Sequence, residues 1–89
     1  MKNYITYHKY RPTTKDELEH IIEDRISKEG PNCDLNDIDV SLIDDMSWLF
    51  YESKFNGDIS KWKISKDCNT CYMLSCCYIK DEFKPKALQ

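Results

Sequence analysis

Eighty-nine residues, 40% apolar and 12% aromatic, are enough for one domain and too few for two, since domains usually run to about 100–150 residues. A chain of this length buries only about 60–65% of its unfolded surface, so a large enzyme cleft is not expected, while the apolar and aromatic content excludes intrinsic disorder. Thirteen basic and sixteen acidic residues give a net charge of -3, which excludes a uniformly basic nucleic-acid binder.

The charge is unevenly placed. Residues 1–15 carry four positive and no negative charges, 16–30 two and six, 31–60 one and seven, and 61–89 six and three. An acidic middle between basic ends offers no continuous phosphate-binding face, and direct nucleic-acid binding is not expected. The apolar runs are far shorter than the roughly 18–20 residues a membrane span needs, and no export signal follows Met1. A complete small reading frame and a cytoplasmic location are the expectation. The five cysteines (Cys33, Cys68, Cys71, Cys76, Cys77) are odd in number and unevenly spaced, as reduced thiols would be.

Residues 3–10 alternate Tyr4, Thr6, His8 and Tyr10 with Ile5, Tyr7 and Lys9, which predicts a strand ended by Pro12. Thr14 followed by Glu17 is a capping box, and Leu18, Ile21, Ile22, Arg25 and Ile26 recur at helical spacing up to Gly30-Pro31. Residues 1–31 are therefore read as an N-terminal strand and an amphipathic capping helix.

Beyond Gly30 the chain repeats itself, with a period of about 24 residues, a length typical of solenoid units. Asp34-Leu35, Asp58-Ile59 and Glu82-Phe83 coincide; so do Ile38 and Trp62, Val40-Ser41 and Ile64-Ser65, Trp48-Leu49-Phe50 and Tyr72-Met73-Leu74, and Phe55 and Ile79. Leu35, Ile38 and Val40 suggest a short extended segment. Ser41 suits a helix N-cap, and Met46, Leu49, Phe50 and Ser53 would share one helical face. The period thus predicts an α/β fold: a short leucine-rich-like strand–helix solenoid of about two coils over 32–83, with a C-terminal tail at 84–89.

Phe55-Asn56-Gly57-Asp58-Ile59-Ser60-Lys61-Trp62-Lys63-Ile64-Ser65, and before it Ile38-Asp39-Val40-Ser41-Leu42-Ile43-Asp44-Asp45-Met46-Ser47-Trp48-Leu49-Phe50, resemble the repeats of BspA-like surface proteins and mycoplasma-type lipoproteins. Those units look like F-N-x-D-I-S-x-W-D-V-S-N-V-T-N-M-x-x-M-F. The resemblance covers roughly 33–83 and implies a binding scaffold with no catalytic residues. Asp67 and Thr70 stand where the pattern has valine and methionine, so the second unit is degenerate.

Cys68, Cys71, Cys76 and Cys77 are the one metal-like cluster, but four thiols within ten residues lack the spacing of two zinc knuckles, and small core residues are the simpler reading. His8 and His20 lie outside the repeats, where no spacing pairs them with a thiol. Neither catalysis, a metal nor another cofactor is expected. A non-enzymatic protein-binding module is, with Asp37, Asp39, Asp44, Asp45, Trp48 and Tyr51 as an aromatic and acidic contact surface. The alternative is a small phage- or mobile-element-encoded inhibitor, anti-CRISPR-like, whose carboxylates occupy the basic channel of a nucleic-acid-binding defence nuclease.

Overall fold

The computed structural model describes residues 8–89. Helix α1 runs Lys15–Glu29 and starts where the capping signal predicts: the Thr14 hydroxyl accepts the Glu17 amide at 3.2 Å. The Glu17 carboxylate reaches back to the Thr13 hydroxyl and amide at 2.8 and 3.0 Å, one residue further than the usual box, and these bonds hold it below the ordinary carboxylate range. Gly30 closes the helix at φ 93°, a left-handed backbone that glycine adopts without strain, and its amide donates to Ile26.

Leu18, Ile22 and Arg25 form the buried face of α1. Leu18 and Ile22 belong to one apolar cluster with Leu35, Ile38, Val40, Ile43, Met46, Phe50, Phe55, Ile59, Trp62, Met73 and Ile79. Arg25 fastens the helix to the first repeat. One guanidinium nitrogen contacts both Asp37 oxygens at 2.8 and 3.0 Å, another donates to the Asp34 carbonyl at 3.0 Å, and Nε meets Glu29 at 2.5 Å. The Tyr10 ring lies 5.6 Å from the guanidinium carbon.

The strand–helix solenoid does not form. Among the described residues there is one α-helix and no β-strand; two short 3₁₀ turns, Asp81–Phe83 and Lys86–Leu88, follow near the C-terminus. Most of the strand expected at 3–10 lies outside the described residues. Its end makes a single parallel pairing of Tyr10 with Ile38, bonded through Asp37 and Asp39 backbone groups.

The helix expected after Ser41 is replaced by a ribbon of turns, and the backbone says why. Trp48 and Glu52 have φ values of 64° and 54°, a left-handed conformation that stops an α-helix within one residue. Successive turns close instead from Leu49 to Met46, Tyr51 to Trp48 and Ser53 to Phe50. The second repeat does the same: Tyr72 and Cys76, each one period on, are left-handed at 56° and 59°, and turns close from Met73, Ser75 and Cys77 to Thr70, Tyr72 and Leu74. Leu35, Ile38 and Val40 are all buried because a turn from Ile38 back to Leu35 reorients them, which strand alternation would not do.

The period survives as hydrogen-bond register. The amides of Met46, Trp48, Phe50 and Glu52 donate to the carbonyls of Asn69, Cys71, Met73 and Ser75 at 2.7–3.0 Å, each acceptor lying just short of a full period further along. Leu35 donates likewise to Asp58, and Ile59 to Phe83, a full period further along. With a Cα radius of gyration of 12.5 Å, against about 12 Å for a compact chain this long, the result is a small globule.

Close approach fixes Gly57. A methyl group there would sit 1.9 Å from the Cys33 carbonyl oxygen, so only glycine lets the two segments meet. Beside it, Phe50 stacks on Phe55 at 4.7 Å, and the buried Trp62 indole donates to the Leu35 carbonyl at 2.9 Å.

Candidate functional site

Two turns place the exposed aromatics. Trp48 and Tyr72 each occupy the left-handed position of an equivalent turn, and the backbone bonds between the repeats bring them into register. Their rings stack with centroids 4.5 Å apart and 26° between planes, and Tyr51 packs edge-on to Trp48 at 4.8 Å. Trp48 is 49% exposed, Tyr51 40% and Tyr72 58%, so half of a large aromatic cluster faces solvent. Rings that are mutually braced lose little freedom on binding, which suits them as contact anchors.

The carboxylates assigned to this surface divide. Asp37 does not join it as a free acid, because Arg25 holds both its oxygens. Asp39 accepts the Ser41 amide at 3.0 Å in a local turn; the Ser41 bonds hold its carboxyl below the usual range, with help from His8 and Arg11. Asp45 accepts the Ser47 hydroxyl at 2.6 Å and its amide at 2.9 Å, which lowers its pKa as well. Asp44 is exposed on the segment leading to Trp48 and Asp45 is half-buried, while Glu52 is exposed immediately after Tyr51.

These acids form turns. Asp34 accepts from the Asn36 amide and, one period on, Asp58 accepts from that of Ser60; Asp45 with Ser47 and Asn69 with Cys71 repeat the pattern. Burial pushes Asp58 up, but the Ser60 and Asn36 bonds and the Lys61 charge together outweigh it and its pKa is lowered.

Sequence reasoning missed Tyr72 and Glu52. The signal for Tyr72 was present in its coincidence with Trp48 one period earlier.

All five cysteines carry free thiols. Burial pushes Cys33, Cys68 and Cys77 up, toward the protonated thiol, and the Cys77 thiol donates to the Phe55 carbonyl at 3.2 Å. Cys71 and Cys76 are exposed. Among the described residues no three His, Cys, Asp or Glu side chains converge as metal ligands would. No helix among them is long and apolar enough to cross a membrane.

Comparison with protein families gives a match over most of the chain. The model of the family described as "Mycoplasma protein of unknown function, DUF285" matches residues 18–83. The chain belongs to this family. The DUF285 match takes in most of α1 as well as both repeats, so the helix is part of the matched unit rather than an addition to it. Searches of curated proteins and of solved structures returned no match.

Proposed function

We propose that this DUF285 chain is a non-enzymatic protein-binding module that engages its partner through Trp48, Tyr51 and Tyr72, with Asp44 and Glu52 supplying charge at the rim. One observation carries the reading: three large rings packed on one another and left about half exposed, whereas the other exposed large apolar side chains among the described residues, Leu42 and Tyr78, are not part of this cluster. Exposed aromatics of this kind cost solvation free energy unless a partner covers them. A basic segment suits the surface, because ammonium and guanidinium groups are attracted both to aromatic faces and to the flanking carboxylates. Five of the seven carboxylates in 31–60 (Asp34, Asp37, Asp39, Asp45 and Asp58) accept hydrogen bonds within the chain, which disfavours an acidic face spread out to imitate nucleic acid. The module is proposed to act in the cytoplasm, where its exposed thiols stay reduced.

A photo-crosslinking residue at position 51, in cells that naturally express the protein, tests this. A single crosslinked partner should be captured and should disappear when Trp48→Ala and Tyr72→Ala are combined. Capture that persists undiminished in that double variant would place the contact elsewhere.

A further inference from the structure

A groove of about 460 Å³ lies between the second repeat and the C-terminal 3₁₀ turn, lined by His8, Lys61, Trp62, Lys63, Ile64 and Lys86. It shares no residue with the Trp48 surface. Lys61, Lys63 and Lys86 are in no ion pair among the described residues. Asp58 lies close enough to Lys61, and Asp39 to His8, for attraction. Residues 1–7 cannot supply the missing negative charge, since they contain no Asp or Glu.

The floor is apolar and fixed. Trp62 is 4% exposed and its indole N–H is already bonded to the Leu35 carbonyl; Ile64 lies half-buried beside it. A cationic rim around an apolar floor calls for a ligand that combines carboxylates with an apolar side chain. A nucleic acid fits less well on two counts. Trp62 presents no open ring face on which a base could stack, and the acidic middle of a chain of net charge -3 repels a long polyanion.

We propose that this groove binds an acidic peptide segment of a partner protein, with its carboxylates on Lys61, Lys63 and Lys86 and an apolar side chain over Ile64 and Ala87. The chain then carries two docking surfaces of opposite charge preference, an aromatic and acidic one at Trp48 and a basic one at Lys63.

The test titrates the intact chain into a short fluorescein-labelled peptide of glutamates with a central leucine, read by anisotropy at low ionic strength. Binding is expected, weakened by added salt and reduced about tenfold or more by combining Lys63→Glu with Lys86→Glu. Lys63→Gln with Lys86→Gln should give a smaller loss while keeping the circular dichroism spectrum of the parent. Trp48→Ala should leave the affinity unchanged, which separates this site from the proposed partner surface. Absence of binding, equal affinity in the charge-reversed variant, or loss on Trp48→Ala would overturn the proposal. So would tighter binding of a single-stranded oligonucleotide than of the peptide. Self-association that the charge reversal abolishes would identify a second copy as the occupant, and would overturn the proposal as well.

Discussion

Trp48 stacks on Tyr72, its counterpart one repeat later, at 4.5 Å, and both residues hold the left-handed backbone that non-glycine side chains seldom adopt. That conformation costs each about 1–2 kcal/mol, and the stacked pair contributes about 0.5–1.5 kcal/mol beyond burial. Unfolding by denaturant of Trp48→Ala, Tyr72→Ala and the double variant should therefore reveal a favourable coupling in that range. Strict additivity would mean that the rings are neighbours without mutual support.

Gly57 and Gly30 should respond differently to alanine. At Gly57 the added methyl meets the Cys33 carbonyl carbon and oxygen and the Phe55 ring, all within 3 Å, so the two segments must part and the loss should be about 3 kcal/mol or more. At Gly30 nothing obstructs the methyl, and only the strain of φ 93° remains, about 1 kcal/mol. Thermal unfolding of the two variants should rank them in that order.

Arg25 and Asp37 should behave as a coupled pair. Asp37 is partly exposed and Arg25 keeps Glu29 and the Asp34 carbonyl, so Asp37→Asn should cost only about 1–2 kcal/mol. Combining it with Arg25→Met should cost less than the sum of the single changes, as a double-mutant cycle in urea would register.

Acid should destabilise the fold through its turn aspartates. Asp39, Asp45 and Asp58 have pKa values lowered in the folded chain, so each contributes stability that is complete above the ordinary carboxylate pKa and is lost as pH falls through the folded value. Asp45→Asn together with Asp58→Asn keeps a turn-forming side chain but removes two of these titrations. Stability measured from neutral to acid pH should fall less steeply in that variant than in the parent.

Thiol reactivity should follow exposure. Cys71 and Cys76 should react first with a small disulfide reagent, and Cys68 and Cys77 more slowly. Cys33 is buried with its thiol pushed up, and should react only on unfolding. Mass mapping of labelled peptides over time would establish the order.

The sequence alone determined the helix and the period. Thr14, Glu17 and Gly30 act through bonds within a few residues, so α1 was legible from its caps. The repeat was legible because equivalent positions face equivalent surroundings: Leu35 and Ile59, Ile38 and Trp62, and Phe55 and Ile79 are all buried. What the repeat was made of was not legible. Met46, Leu49, Phe50 and Ser53 satisfy helical spacing, yet the ribbon of turns also buries Met46 and Phe50 and half-buries Leu49 and Ser53. Only the neighbouring repeat decides between them, because its carbonyls at Asn69, Cys71, Met73 and Ser75 take amides that a helix would have kept for itself. The docking of α1 set Asp37 on Arg25, a local turn tied Asp45 to Ser47, and the docking of the repeats set Tyr72 against Trp48. A side chain's nearest partner one repeat away is a property of register, which composition and spacing along a single chain do not contain.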